Sequence, residues 1–191
     1  MLELVFATNN AHKLQEVQAI IEDKFFLKSL ADIGCTDDIP ETGTTFFENA
    51  KQKTDFLVNK YGFFCFGDDS GLEIDALNGE PGVYSARYSG TRDMDKNIGL
   101  VLSKLRGVTN RAARFKTVIS LYLNKQQYFF EGSIEGVIID RLRGTSGFGY
   151  DPIFIPDGHD QTFAEMSAEQ KNSISHRAIA VQKLADFLKH F

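Results

Sequence analysis

Residues 62–69 read GFFCFGDD, an aromatic, apolar run bracketed by glycines and followed at once by two adjacent carboxylates. So short a run with those flanks reads as a buried strand over residues 63–66, because a helix needs more residues to bury a face. A buried strand carries the next residues of the chain to a sheet edge, and in open α/β sheets ligands bind beyond the strand ends. Asp68 and Asp69 are therefore expected at the mouth of a core strand. Carboxylates packed side by side repel each other, and a divalent cation bound through oxygen offsets that cost, with Mg²⁺ the first choice. Read alone, the sequence DDSG is equally an ordinary polar turn.

A chain of 191 residues can bury a core as one domain. No apolar run approaches a membrane span and no charged-then-apolar leader opens the chain, so the expected place is the cytoplasm, with no membrane partner. Two cysteines, Cys35 and Cys65, make neither a disulfide framework nor a zinc site. A net charge of −5 argues against a nucleic-acid polymer as partner. It leaves room for a local basic pocket around a small polyanion.

Residues 2–7 form a β-type run, and Leu14, Val17, Ile20, Ile21 and Phe25 recur at helical spacing. The unit is strand, loop, helix, with Asn9 or Asn10 as the cap and first-turn N–H groups left to face an anion. Lys13 in that first turn opposes the helix dipole, which a phosphate would relieve, although a solvated lysine reads equally well. Neither GxxxxGK[ST] nor GxGxxG is present. Residues 28–43 read as irregular, which makes Glu41 a loop carboxylate. Thr45 and Glu48 form a capping box for the next helix, which carries Lys53 and ends at Gly62. Residues 72–76 alternate as a second strand, and residues 78–90 form a Gly- and Tyr-rich loop suited to a ligand or a second subunit. A helix follows over residues 93–105, then a hairpin of residues 115–123 and 128–133, then a third strand over residues 134–140.

Residues 143–156, RGTSGFGYDPIFIP, combine glycines that admit close backbone approach with flat faces at Phe148 and Tyr150 for stacking a base, and an acceptor at Asp151. A helical tail is predicted over residues 167–191, with Ser175 capping the final helix and His176 and Arg177 as donors at its start. Carboxylates, lysines, an aromatic pair and a donor pair, each at a loop or helix start, form the inventory that a nucleoside triphosphate with Mg²⁺ requires.

The segments FATNNAHKLQE, ETGTTFFENA, DDSGLEIDALNGEPGVYSARYSG, SGFGYDPIF and KNSISHR, in this order, resemble the inosine triphosphate pyrophosphatase (Ham1-like, RdgB-type) family, whose members hydrolyse non-standard purine nucleoside triphosphates. The resemblance covers nearly the whole chain. It implies an α/β fold with a mixed central sheet flanked by helices, residues 1–191 forming a single domain with two lobes around an active-site cleft. It further implies a homodimer, Mg²⁺ dependence, and cleavage of purine triphosphates such as ITP, dITP and XTP to monophosphate and pyrophosphate. By the same resemblance Thr8, Asn9, Asn10, Ala11, His12 and Lys13 hold phosphates, helped by Lys53 and Lys171. Asp69 is the catalytic carboxylate, Glu41 and Asp69 are metal ligands with Asp68 beside them as a third candidate, and Ser70 contacts substrate. Phe148, Gly149, Tyr150 and Asp151 hold base and sugar, and His176 and Arg177 read the purine edge. Asn9 stands where many members have Gly, and Asn tolerates the same left-handed backbone. The rivals are a regulator that binds a purine nucleotide without turnover and a Maf-like pyrophosphatase of other base preference. Paired carboxylates favour an enzyme over the first, and SHR after SGFGYD favours purines over the second.

Overall fold

The computed structural model describes residues 2–21, 25–62 and 64–190; Phe63, in the predicted first core strand, and Phe191, at the end of the predicted tail, lie outside them. The strands are β1 (Leu2–Phe6), β2 (Phe25–Lys28), β3 (Cys65–Ile74), β4 (Ala112–Leu123), β5 (Gln126–Ile138) and β6 (Phe154–Pro156), in one sheet of order β2-β1-β3-β4-β5-β6. The sheet is mixed: β1 runs parallel to both β2 and β3, with Val5 opposite Cys65, whereas β5 and β6 are antiparallel. The helices are α1 (Ala11–Ile20), α2 (Phe46–Tyr61), α3 (Met94–Lys104), α4 (Ala168–Ile174) and α5 (His176–Leu188).

Three boundaries differ from the sequence reading. Asp68, Asp69 and Ser70 lie inside the ten-residue β3 rather than in a turn beyond it, so the two strands expected over residues 63–76 are one. Turn propensity is overridden because the buried carboxylates have donors within the fold. Phe25 does not extend α1, which ends at Ile20, but opens β2 beside β1. Residues 134–138 continue β5 instead of forming a third strand; the hairpin turns at Asn124 and Lys125, whose φ values of 51° and 63° suit a tight two-residue connection. The tail divides where the sequence reading sets the start of a final helix: Ser175 is extended (φ −67°, ψ 154°) and closes α4 by donating its N–H to the Lys171 carbonyl at 2.9 Å, and α5 begins at His176.

The chain divides into two compact units. The first comprises Met1–Asp69, Thr117–Gly132 and Arg177–Phe191; the second comprises Ser70–Lys116 and Ser133–His176. In the first, one apolar cluster joins Leu4, Phe6 and Phe66 to Val17 of α1 and to Val181 and Leu184 of α5, with the Phe6 and Phe66 rings stacked at 4.4 Å. Helix α2 begins at the predicted capping box, where Thr45 accepts from the Glu48 N–H, and ends at Gly62 in the left-handed conformation. It lies tight against β3: a Cβ on Gly67 would sit 2.8 Å from Lys53 Cβ and 3.3 Å from the Ala50 carbonyl oxygen. That close approach is what brings the polar side chains of α2 to the carboxylates of β3. The second unit packs Leu72, Ile74, Ile98, Val101, Phe115, Phe154 and Phe163 in a core of its own.

Candidate active site

In the first unit the chain from Glu41 to Thr44 runs back along the opening turns of α2, and successive side chains of that helix take hold of it. Glu48 accepts from the Thr44 N–H at 2.6 Å, and Asn49 Oδ1 accepts from the Gly43 N–H at 2.8 Å. Gln52 accepts from the Thr42 N–H at 2.9 Å, and Lys53 pairs with the Glu41 carboxylate. Positions 48, 49, 52 and 53 share one helical face, which is why one helix can grip four consecutive loop residues. Two of the four, Asn49 and Lys53, are also buried and reach β3. Asn49 Nδ2 donates to Asp69 Oδ2 at 2.9 Å, and Lys53 Nζ donates to the Asp68 carbonyl at 2.7 Å.

The two adjacent carboxylates are held differently. Lys13 Nζ lies 3.0 and 2.9 Å from the two oxygens of Asp68, and Arg177 Nε lies 3.5 Å from Oδ2. Arg177 is itself paired with Glu16, giving an alternating chain Glu16, Arg177, Asp68, Lys13 within the first unit. Burial opposes ionisation of Asp68, yet the charges of Lys13, Arg177 and Lys53 together outweigh it and hold the carboxyl well below the usual range. At Asp69 burial wins: its pKa is raised, with Glu41 adding to the rise and Lys53, Lys13 and the Asn49 amide offsetting part of it. Burial also lowers the pKa of Lys13 against the pull of Asp68, whereas at Lys53 burial is outweighed by Glu41, Asp68 and Asp69, so its pKa is raised.

The loop ahead of α1 belongs to the same unit. Asn10 is the cap, and its side chain accepts from the His12 and Lys13 N–H groups at 3.0 and 3.3 Å, so these two donors, expected to face an anion, are taken up locally. Thr8 Oγ1 accepts from the Asn10 N–H at 3.1 Å, and Asn9, Ala11 and His12 are exposed. Lys13 points its ammonium at Asp68 rather than at the helix start.

The second unit holds the remaining predicted site residues. Ser70 continues β3, half-buried. Asp151 accepts from the Phe148 N–H at 2.9 Å and from Lys171 Nζ at 2.8 Å, closing the turn that contains Gly149. Lys171, expected on phosphates, is buried in that pair with its ammonium 4.9 Å from the Phe148 ring centroid. Tyr150 is buried and donates to the Ser85 carbonyl at 2.9 Å; burial, with Tyr88 adding, pushes its phenol pKa up. His176 lies flat on Phe115, with ring centroids 4.8 Å apart and planes at 12°. The structure therefore gathers Lys13, Glu41, Lys53, Asp68, Asp69 and Arg177 in one unit, and Phe148, Tyr150, Asp151, Lys171 and His176 in the other.

Asn49 and Glu16 were not picked out from the sequence. Each had a signal: Asn49 lies one helical turn before Lys53, and Glu16 three residues after Lys13, so each shares a face with a candidate lysine.

A cation fits the first unit. Among the described residues no three His, Cys, Asp or Glu side chains gather into a cage. Asp68 has both oxygens turned to cations, which makes it their counter-ion, and Glu41 with Asp69 supplies the acidic pair. Mg²⁺ characteristically binds through one or two carboxylates, completing its shell with water and substrate phosphates, so this donor set suits it.

The Ham1 family model matches residues 4–187. A dITP/XTP pyrophosphatase of Flavobacterium johnsoniae is 51% identical over 188 residues, covering 98% of both chains, and one of Porphyromonas gingivalis is 52% identical over 190 residues with the same coverage. A HAM1 protein structure from Coxiella burnetii superposes with a TM-score of 0.92 at 39% identity over the full length of both chains. With the mixed sheet, the flanking helices and the paired carboxylates of β3 in place, the chain belongs to the Ham1 family.

Proposed function

We propose that this protein is a Mg²⁺-dependent pyrophosphatase that clears dITP, ITP and XTP from the nucleotide pool, releasing the monophosphate and pyrophosphate. The observation that carries the reading is the pair Asp68 and Asp69: adjacent, buried, and driven in opposite directions by their surroundings. Carboxylates whose environments push them apart take different roles. Asp68 stays ionised as the anchor for Lys13 and Arg177, and Asp69, made more basic by burial, orients a water and accepts its proton as the oxygen attacks the α-phosphorus in line. Lys13 and Lys53 offset charge on the triphosphate and on the departing pyrophosphate. Glu41 and Asp69 are the residues that would hold Mg²⁺, which when bound neutralises charge building on the phosphate oxygens. Thr8 to His12 line the phosphate end in this reading. In the second unit Phe148 stacks on the base, while Lys171 serves the nucleoside by fixing Asp151. In this reading residues 1–191 count as a single domain.

The position of attack tests this directly. Turnover of dITP in H₂¹⁸O with Mg²⁺ is expected to give one ¹⁸O in dIMP and none in pyrophosphate, read by mass spectrometry. Label in the pyrophosphate, or release of orthophosphate with dIDP as first products, would exclude attack at the α-phosphorus.

No described helix is long and apolar enough to cross a membrane, in keeping with a place in the cytoplasm beside free nucleotides. The proposal includes a homodimer built partly on residues 84–90, where Tyr84 is 54% exposed beneath the Arg87 guanidinium. Light scattering at micromolar concentration is expected to give twice the 21.4 kDa chain mass. A monomer mass would remove this part of the proposal.

A further inference from the structure

We infer that Asn49 is a positioning residue for the hydrolysis, locking the Asp69 carboxylate and the Glu41 loop into one fixed arrangement. The inference rests on the pyrophosphatase reading and adds a residue to it. Asn49 is fully buried, and its amide is used in two directions: Oδ1 accepts from the Gly43 N–H at 2.8 Å and Nδ2 donates to Asp69 Oδ2 at 2.9 Å. A neutral amide accepts through its oxygen and donates through its nitrogen, so its two ends can serve two different partners at once. An ionised Asp offers no donor, Leu offers neither function, and Gln would force an extra methylene into a packed site.

The surroundings are built for this contact. A Cβ on Gly43 would stand 2.8 Å from Asn49 Oδ1 and 2.6 Å from Glu48 Cβ, so the loop approaches α2 as closely as a glycine permits. Glu48 and Gln52 hold the neighbouring loop residues from the exposed side, whereas Asn49 connects the loop to β3. With Cβ carried by the strand and one oxygen fixed by the amide, the direction of the second oxygen of Asp69 is fixed as well. The two carboxylates that would share a cation are thereby tied to one side chain, Asp69 directly and Glu41 through Gly43 two residues on. Partners that orient a ligating carboxylate are typically worth about 10- to 100-fold in affinity or activity.

The test uses Asn49→Ala, which removes both bonds, and Asn49→Asp, which keeps the acceptor for Gly43 and removes the donor to Asp69. Both are expected to lower kcat for dITP by about 10- to 100-fold while KM moves less than about threefold. Independently of turnover, Asn49→Ala should weaken Mn²⁺ binding, followed by electron paramagnetic resonance without nucleotide, by about tenfold. In an Asp69→Asn background Asn49→Ala should cost several-fold less than in the wild type, because the part of its effect that runs through the Asp69 carboxylate is already lost. An equal loss in both backgrounds, or kcat within about threefold of wild type in either folded variant, overturns the inference. Absence of a cooperative melt in both variants would assign Asn49 to folding and overturn it too. If the wild-type chain released no pyrophosphate from dITP, the pyrophosphatase reading itself would fall, while the Mn²⁺ titration would still report whether Asn49 holds the carboxylates.

Discussion

Asp69→Asn is expected to fold normally and to lose turnover on the order of 10³-fold, the range assigned to a positioned general base. The substitution is nearly isosteric, and its amide oxygen can still accept from Asn49 Nδ2, which lies 2.9 Å from the present carboxylate. Because burial raises the pKa of Asp69 in the folded chain, its charge is less well accommodated there than in the unfolded chain, and removing that charge should leave the melting temperature unchanged or slightly higher. The neighbouring Asp68→Asn is expected to behave in the opposite way. Asp68 is almost fully buried against Lys13 and Arg177, and neutralising it takes the shared carboxylate from Lys13 and leaves Arg177 with Glu16. Breaking a buried pair from one side costs about 3–5 kcal/mol, so this variant should melt many degrees lower as well as lose activity. Thermal melts beside steady-state assays separate the two roles. Near wild-type turnover in Asp69→Asn, or an unchanged melt in Asp68→Asn, would reverse the assignment.

Elements with strong local signals were legible. The Thr45 and Glu48 box, the Gly62 stop, the extent of α3 and the α/β class could be read because each depends on residues within a few positions of one another. Those misread depend on distant partners. DDSG has the composition of a turn, yet it is strand because Lys13, Asn49 and Arg177, far along the chain, supply donors to its two carboxylates, and Lys53 donates to the Asp68 carbonyl. Phe25 has helical spacing from Ile21, yet it is strand because β1 offers a parallel neighbour.

No domain boundary was legible for a related reason. The passage between units falls inside β3 at Asp69 and Ser70, inside β4, inside β5, and between His176 and Arg177. Crossings within strands carry no linker composition. The candidate site was legible as a set of residue types at loop and helix starts, but not as partnerships. Lys171 reads as one more phosphate lysine, and it takes the fold to show that Asp151 claims its charge. Arg177 follows His176 directly, yet its guanidinium is engaged by Glu16 and Asp68.

That division between His176 and Arg177 yields the sharpest expectation for base choice. Hypoxanthine and xanthine present an acceptor at position 6, where adenine presents an amino group. A donor aimed there is satisfied by the first two and left unpaired by the third, and sites built on such hydrogen bonds reach discrimination on the order of 10⁴. Phe115 holds the His176 ring flat at the start of α5, 4% exposed, which fixes where its N–H vectors can point. His176→Phe keeps an aromatic ring against Phe115 and removes the donors. One lost donor is worth about 1–3 kcal/mol, so kcat/KM for dITP should fall roughly 5- to 160-fold with that for dATP little changed, and the dITP/dATP ratio should contract by the same factor. Arg177→Lys retains a positive charge for Glu16 and Asp68 but loses the planar fork. It is expected to lower turnover on both nucleotides and leave their ratio within about threefold of wild type, since the fork contacts the Glu16 and Asp68 carboxylates of the first unit. The ratio distinguishes the two residues where activity alone does not. If it collapses in Arg177→Lys and holds in His176→Phe, the guanidinium reads the purine edge and the histidine serves only to pack against Phe115.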